Sequence, residues 1–150
     1  MAGKCFSYGE RAVGTFTFLD HTGDVGFAVR GRSLEELFQN AAKALFSVIT
    51  DRRRIRRRIK ESINISAPEL ESLLVQWLGE LLFLFDARGL LFSDFRFETL
   101  ENHLLHAMAW GEPYEQGRHV IKTGIKAVTY HQIKVEKRRG LWRARIILDI

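Results

Sequence analysis

The residues best suited to chemistry in this chain are carboxylates near its two ends. Asp20 and Asp24 flank a short turn, Asp20-His21-Thr22-Gly23-Asp24, and the sequence closes on Leu148-Asp149-Ile150. In a turn of this kind the Asp side chains can simply cap neighbouring backbone amides. The closing segment adds a second consideration. Ile146-Ile147-Leu148 is apolar and belongs in a core, so the terminus behind it is expected to be docked rather than frayed. Asp149 then stands beside the α-carboxylate of Ile150, and oxygen ligands collect on one tethered strand end. If that end meets the early turn, carboxylates crowd together, and crowded like charges raise each other's pKa or recruit a cation. Oxygen-only ligation suits Ca²⁺, with about 6–8 ligands, or Mg²⁺, with about six at stricter geometry. Asp24, Asp149 and Ile150 cannot fill such a shell alone, so water or a partner must complete it.

Positive charge is equally uneven. Arg52, Arg53, Arg54, Arg56, Arg57, Arg58 and Lys60 fall within nine residues, and the remaining 16 basic residues face 18 acidic ones. The net charge of +5 is therefore a local feature of the sequence. If the segment is a strand, Ile55, Ile59, Ile63 and Ile65 share one face, and Arg54, Arg56, Arg58 and Lys60 the other. Such a run is a solvated sheet face, a phosphate contact or a nuclear-import signal. No aromatic residue is interleaved with it, which speaks against a base-stacking platform.

Other chemistry has little to stand on. There is no glycine-rich phosphate loop, no Cys/His zinc pattern and no nucleophile elbow. His21, His103, His106, His119 and His131 include no pair at the four-residue spacing of a zinc helix. Cys5, the single cysteine, cannot close an internal disulfide, which fits a reducing compartment.

These residues need elements to hold them. Thr15–Leu19 and Val25–Arg30 read as strands on either side of the Asp20–Asp24 turn. Ser33-Leu34-Glu35-Glu36 is a capping-box pattern, and Leu34, Leu37, Phe38, Ala41, Leu45 and Ile49 follow at helical spacing to about Thr50. Ser66-Ala67-Pro68-Glu69 starts a second helix whose Leu-rich stripe runs through Trp77 to Phe85, with Gly89 as its stop. This second helix is expected to be the more buried. Leu91–Phe97, Leu104–Trp110, Ala127–Val135 and Trp142–Leu148 have strand composition, with tight hairpins at Glu101-Asn102 and Arg139-Gly140 and a long loop over Gly111–Gly124.

Two helices among about seven strands, without regular alternation, indicate an α+β single domain with a mainly antiparallel sheet. A chain of 150 residues can bury a full core without staples. Residues 1–12 read as a flexible extension lacking the apolar core of a signal peptide, ahead of a domain over 13–150. No apolar run is long enough to span a membrane.

The segment Phe18-Leu19-Asp20-His21-Thr22-Gly23-Asp24-Val25 resembles the signature of the archease family. The resemblance continues through Gly31 and Leu34–Phe38, through Leu73-Leu74-Val75-Gln76-Trp77-Leu78-Gly79-Glu80-Leu81-Leu82, through Gly111-Glu112 and Lys126-Ala127-Val128-Thr129-Tyr130-His131, and to Leu148-Asp149-Ile150. It implies the archease fold and a non-catalytic activator of the RtcB-type tRNA-splicing RNA ligase. That ligase joins a 2′,3′-cyclic phosphate or 3′-phosphate to a 5′-hydroxyl through a guanylylated histidine and divalent metal. The activator promotes guanylylation and multiple turnover. The resemblance also implies a metal site on Asp24, Asp149 and Ile150, holding Ca²⁺ or else Mg²⁺ or Mn²⁺, with Asp20 and His21 beside it. His119 and Lys126 are candidates for partner contact. Gly23 stands where the family commonly has Ala, and Asp20 where it often has Glu; neither removes a ligand. The arginine run is denser than the family pattern. It supports a competing class, a basic RNA-binding or chaperone-like module in which Arg54, Arg56 and Arg58 contact RNA. The cytoplasm is the expected location, with the nucleus open.

Overall fold

The computed structural model describes residues 16–21 and 24–150, with Leu19, Asp20 and His21 given by backbone alone. The expected extension over residues 1–12, Cys5, and the turn residues Thr22 and Gly23 lie outside the described residues.

Local chemistry sets most element ends. β1 (Phe16–His21) and β2 (Asp24–Gly31) form an antiparallel hairpin in unbroken register. α1 (Leu34–Ile49) starts where expected: Ser33 Oγ accepts from the Glu36 amide at 3.1 Å. Glu36 reaches back one residue further than a standard capping box, accepting from the Arg32 amide at 2.7 Å. α2 (Leu70–Arg88) begins later than the Ser-Ala-Pro signal suggests, because β3 (Ile59–Ser66) uses Ser66 as its last residue. Gly89 stops it in the left-handed conformation, φ 67°. β4 (Leu90–Leu100), β5 (Leu104–Pro113), β6 (Ala127–Val128), β7 (Lys134–Arg138) and β8 (Leu141–Asp149) follow. Arg139 (φ 55°) and Gly140 (φ 75°) make the expected tight turn, both in the left-handed region.

The strands form two antiparallel sheets rather than one. The first has the order β1-β2-β8-β6, with β7 also on β8; the second has the order β3-β5-β4. The helices are shared between them. α1 packs on β2 and on β4, and α2 touches β3, β4 and β5 as well as β6 and β7. An aromatic cluster fills the space between: Phe46 contacts Phe92 and Phe95, Trp77 contacts Phe95 and Phe97, and Trp77 Nε1 donates to the Phe38 carbonyl at 3.1 Å. Among the described residues, no helix is long and apolar enough to cross a membrane.

Three expectations are corrected. α1 is the more enclosed helix, because Ala41, Ala42 and Ala44 let it sit tightly between the sheets, whereas α2 leaves Gln76 and Phe83 exposed. The strand expected over Ala127–Val135 is broken in two. The Thr129 hydroxyl donates to the Ile147 carbonyl, and Gln132 turns the chain at φ 54°. The arginine segment is not a strand: Arg52–Arg54 is a 3-10 turn capped by Asp51, and regular pairing begins only at Ile59.

Candidate metal centre

β2 and β8 pair in unbroken antiparallel register, Phe27 opposite Ile146 and Val25 opposite Leu148. Phe27, Val29, Ile146 and Leu148 are buried, which fixes the inward face of both strands. The residues between them must therefore point outward. The last pair of the ladder on that outward face is Asp24 opposite Asp149. Directly opposed residues hold their Cβ atoms roughly 4.5–5.5 Å apart, so two carboxylates share one spot on the rim. His21 pairs with Asp24 and Asp20 with Val25, so the strand carrying Asp20 and His21 flanks the pair.

The terminus is docked on both sides. β6 runs along β8 with Ala127 opposite Asp149. The Lys126 amide donates to the Asp149 carbonyl at 2.7 Å, and the Thr129 amide to that of Ile147 at 3.1 Å. Asp24 and Asp149 stay partly exposed, Ile150 follows at the surface, and Lys126 is exposed beside them. The site thus offers two side-chain carboxylates, with Ile150 beside them. Hard-cation chemistry suits such donors, but they leave the shell incomplete. Among the described residues, no three His, Cys, Asp or Glu side chains gather into a metal-binding group. Any ion held here keeps positions open for water or for a partner's oxygens.

A second cluster forms at the start of the long loop, around Glu112. Gly111 sits against β4 so closely that an added Cβ would overlap the Leu91 carbonyl oxygen. The next side chain, Glu112, is fully buried. Its Oε2 accepts from the Arg56 amide and from His119 Nε2, each at 2.9 Å, and its Oε1 lies 2.6 Å from Arg118 Nη2. His119 Nδ1 accepts from the Glu115 amide at 2.9 Å, so the ring carries its proton on Nε2. Burial opposes ionisation of Glu112, but donation from Arg118, the Arg56 amide and His119 outweighs it and holds the carboxyl down at about 2.

This cluster relocates several candidates. His119 has a buried ring, so it anchors the loop instead of facing a partner. Arg54 and Arg118 are clasped: Arg54 Nε donates to the Arg118 carbonyl at 3.1 Å, and Arg118 Nη1 to that of Arg54 at 3.0 Å. Arg58 Nη1 lies 3.6 Å from Glu112 Oε1, and Arg56 is exposed. Arg54, Arg56 and Arg58 therefore do not form the single row that strand periodicity implies. Tertiary structure also supplies the aromatic ring that the run lacks. Arg57 and Arg96 lie over Trp110 at 5.0 and 5.6 Å, and Arg57 pairs with Asp94 at 3.2 Å. Glu112 is legible in the sequence only as part of the Gly111-Glu112 step of the family resemblance, with no role attached to it.

Comparison with known proteins agrees with this architecture. The model of the Archease protein family (MTH1598/TM1083) matches residues 16–150. The protein archease of Methanosarcina mazei is 40% identical over 139 residues, covering 90% of this chain and 95% of the relative. That of Sulfurisphaera tokodaii is 37% identical over 136 residues, covering 90% and 98%. The solution structure of protein 1598 from Methanobacterium thermoautotrophicum superposes with a TM-score of 0.76 at 37% identity, covering 90% of this chain and 98% of that one. The crystal structure of a Thermotoga maritima archease, described as a possible chaperone, shares the fold at a TM-score of 0.62 and 21% identity, covering 88% and 94%. With its family model spanning both sheets and both helices, from the first described strand to the docked terminus, the chain belongs to the archease family.

Proposed function

We propose that the chain is a non-catalytic activator of an RtcB-type tRNA-splicing RNA ligase, acting in the cytoplasm and promoting the ligase's guanylylation and turnover. The observation that carries this reading is the opposition of Asp24 and Asp149 on an exposed strand end, with Ile150 beside them. An open, carboxylate-rich rim is suited to presenting a divalent ion, Ca²⁺ by preference, to another protein's phosphate chemistry. Lys126, exposed next to Asp149, is placed to contact the same partner. An enzymatic role has less support. Among the described residues, the acid–base pair Glu112 and His119 has both side chains fully buried and both engaged.

The test is ligase guanylylation and multiple turnover with the wild-type chain, Asp24→Ala, Asp149→Ala and a deletion of Ile150. Wild-type stimulation and its loss in the variants is the expected result, together with loss of Ca²⁺ binding in calorimetry. Full stimulation by all three folded variants would overturn the site.

The second class, a module using residues 52–58 to bind RNA, is weakened by the contacts of that segment. Arg53, Arg54 and Arg57 are engaged with Asp51, Arg118 and Asp94, and Arg58 leans on Glu112.

A further inference from the structure

On the outward face of the second sheet, cations and an aromatic ring surround one half-buried carboxylate, Asp94. Phe95 and Ala109 are buried on the inward face, so Asp94 of β4 and its cross-strand partner Trp110 of β5 point outward. Gln39 Nε2 donates to the Phe95 carbonyl at 3.2 Å, which lays α1 along the outer edge of β4. Lys43 follows Gln39 by one helical turn, and Arg52 opens the 3-10 turn that touches the same strand. Both lie within electrostatic reach of Asp94. Asp94 therefore has an ammonium and a guanidinium on one side, and on the other the Trp110 ring flanked by Arg57 and Arg96.

The carboxylates near Lys43 and Arg52 are already engaged. Asp94 pairs with Arg57 at 3.2 Å and accepts from the Phe95 amide at 3.0 Å. Glu36 accepts from the Arg32 amide and lies 3.7 Å from Arg32 Nε. Asp51 holds Arg53 through both oxygens, at 3.0 and 3.2 Å. Among the described residues, no carboxylate pairs with Lys43 or Arg52, and Arg52 Nε is enclosed without an acceptor. Burial pushes both cations down, and Arg52 lowers Lys43 further.

Two half-buried cations held without acceptors cost the fold free energy, and a bound anion offsets that cost. The neighbouring ring indicates which anion. Bases stack on aromatic rings and on guanidinium planes alike, so Arg57, Trp110 and Arg96 together make a platform for a flat ring. Adjacent strands lie about 4.8 Å apart, which sets the cation pair roughly one strand spacing beyond the indole. That separation suits a base and its own phosphate. A simple carboxylate ligand would satisfy the cations and leave the platform idle. Arg54, Arg56 and Arg58 play no part in this arrangement.

We propose that this site binds single-stranded RNA, one base stacking on the Arg57–Trp110–Arg96 platform and its phosphate held by Lys43 and Arg52. The choice of RNA over DNA rests on the ligase reading above; the platform and the cation pair do not.

The experiment titrates an unlabelled single-stranded RNA oligomer into the full chain, without ligase, and follows tryptophan fluorescence and calorimetry across a salt series. RNA should quench the wild type, and the quenching should vanish in Trp110→Leu, which keeps Trp77 and Trp142. That variant should bind roughly tenfold more weakly with the salt slope unchanged. Lys43→Gln/Arg52→Gln should also weaken binding, and should flatten the slope of log K against log salt by about 0.7, the share of one phosphate. The control Arg88→Gln/Arg138→Gln removes the same charge elsewhere and should leave affinity and slope unchanged. Absence of quenching, equal loss in both double variants, undiminished binding of an abasic oligomer, or tighter binding of the equivalent DNA would overturn the proposal. Normal RNA binding by Asp24→Ala alongside lost ligase stimulation shows the two sites to be separate. RNA binding by a wild-type chain that stimulates no ligase would sink the ligase reading alone.

Discussion

The arginine segment 52–58 and the outer face of the β2-β8-β7 sheet both concentrate positive charge, in opposite ways. The first is contiguous in sequence, and Arg53, Arg57 and Arg58 each have a carboxylate within reach. Asp51 caps and pairs with Arg53, Arg118 clasps Arg54, Asp94 and Trp110 take Arg57, and buried Glu112 gathers Arg118 with the Arg56 amide. The second is assembled from β2 and the β7–β8 hairpin, far from it in sequence, and sets Arg143 opposite Arg30 on one side and opposite Glu136 on the other. A dense run of one charge can thus be structural, because the fold brings acceptors to it. A patch invisible to linear counting is assembled only by strand pairing, with Glu136 set among its cations.

The contrast predicts effects of different size. The largest belongs to Glu112. Glu112→Ala removes the acceptor on which the segment and the long loop converge, and should cost about 3 kcal/mol in denaturant unfolding. The same group sets a pH dependence. Its carboxyl lies at about 2 in the fold against an ordinary 4.5. A depressed acid stabilises the fold fully above its unfolded value, and that contribution disappears as the pH falls from about 4.5 toward 2. Denaturant midpoints across that window should fall in the wild type and lose this component in Glu112→Gln. If Glu112→Ala proves neutral, the segment is not organised by its anion.

Arg57→Ala comes next. It loses the Asp94 pair and the stacking on Trp110, both half-exposed, and should destabilise by about 1 kcal/mol. The smallest effect is the most discriminating. Arg143 stands opposite Arg30 on one side and opposite Glu136 on the other, so Arg143→Thr should change stability by less than about 0.5 kcal/mol. A loss above about 1 kcal/mol would erase the distinction between the two regions.

The division between sequence and structure follows the range of the forces involved. The turn at Arg139-Gly140, the Ser33 cap, the Gly89 stop and the helical stripes depend on contacts within a few residues, so the sequence alone determined them. It also determined that an apolar Ile146-Ile147-Leu148 had to be buried, which docked Asp149 and Ile150. Which strand would receive that end depended on long-range pairing. Only the tertiary structure put Asp24 opposite Asp149, split the strands into two sheets and broke the strand after Val128. It alone delivered Glu112, Trp110 and Asp94 to the arginines, buried His119, and lined up Arg30, Arg143, Arg145 and Lys134. Charge acts through space, and the chain's order along the sequence does not encode which charges will end up adjacent.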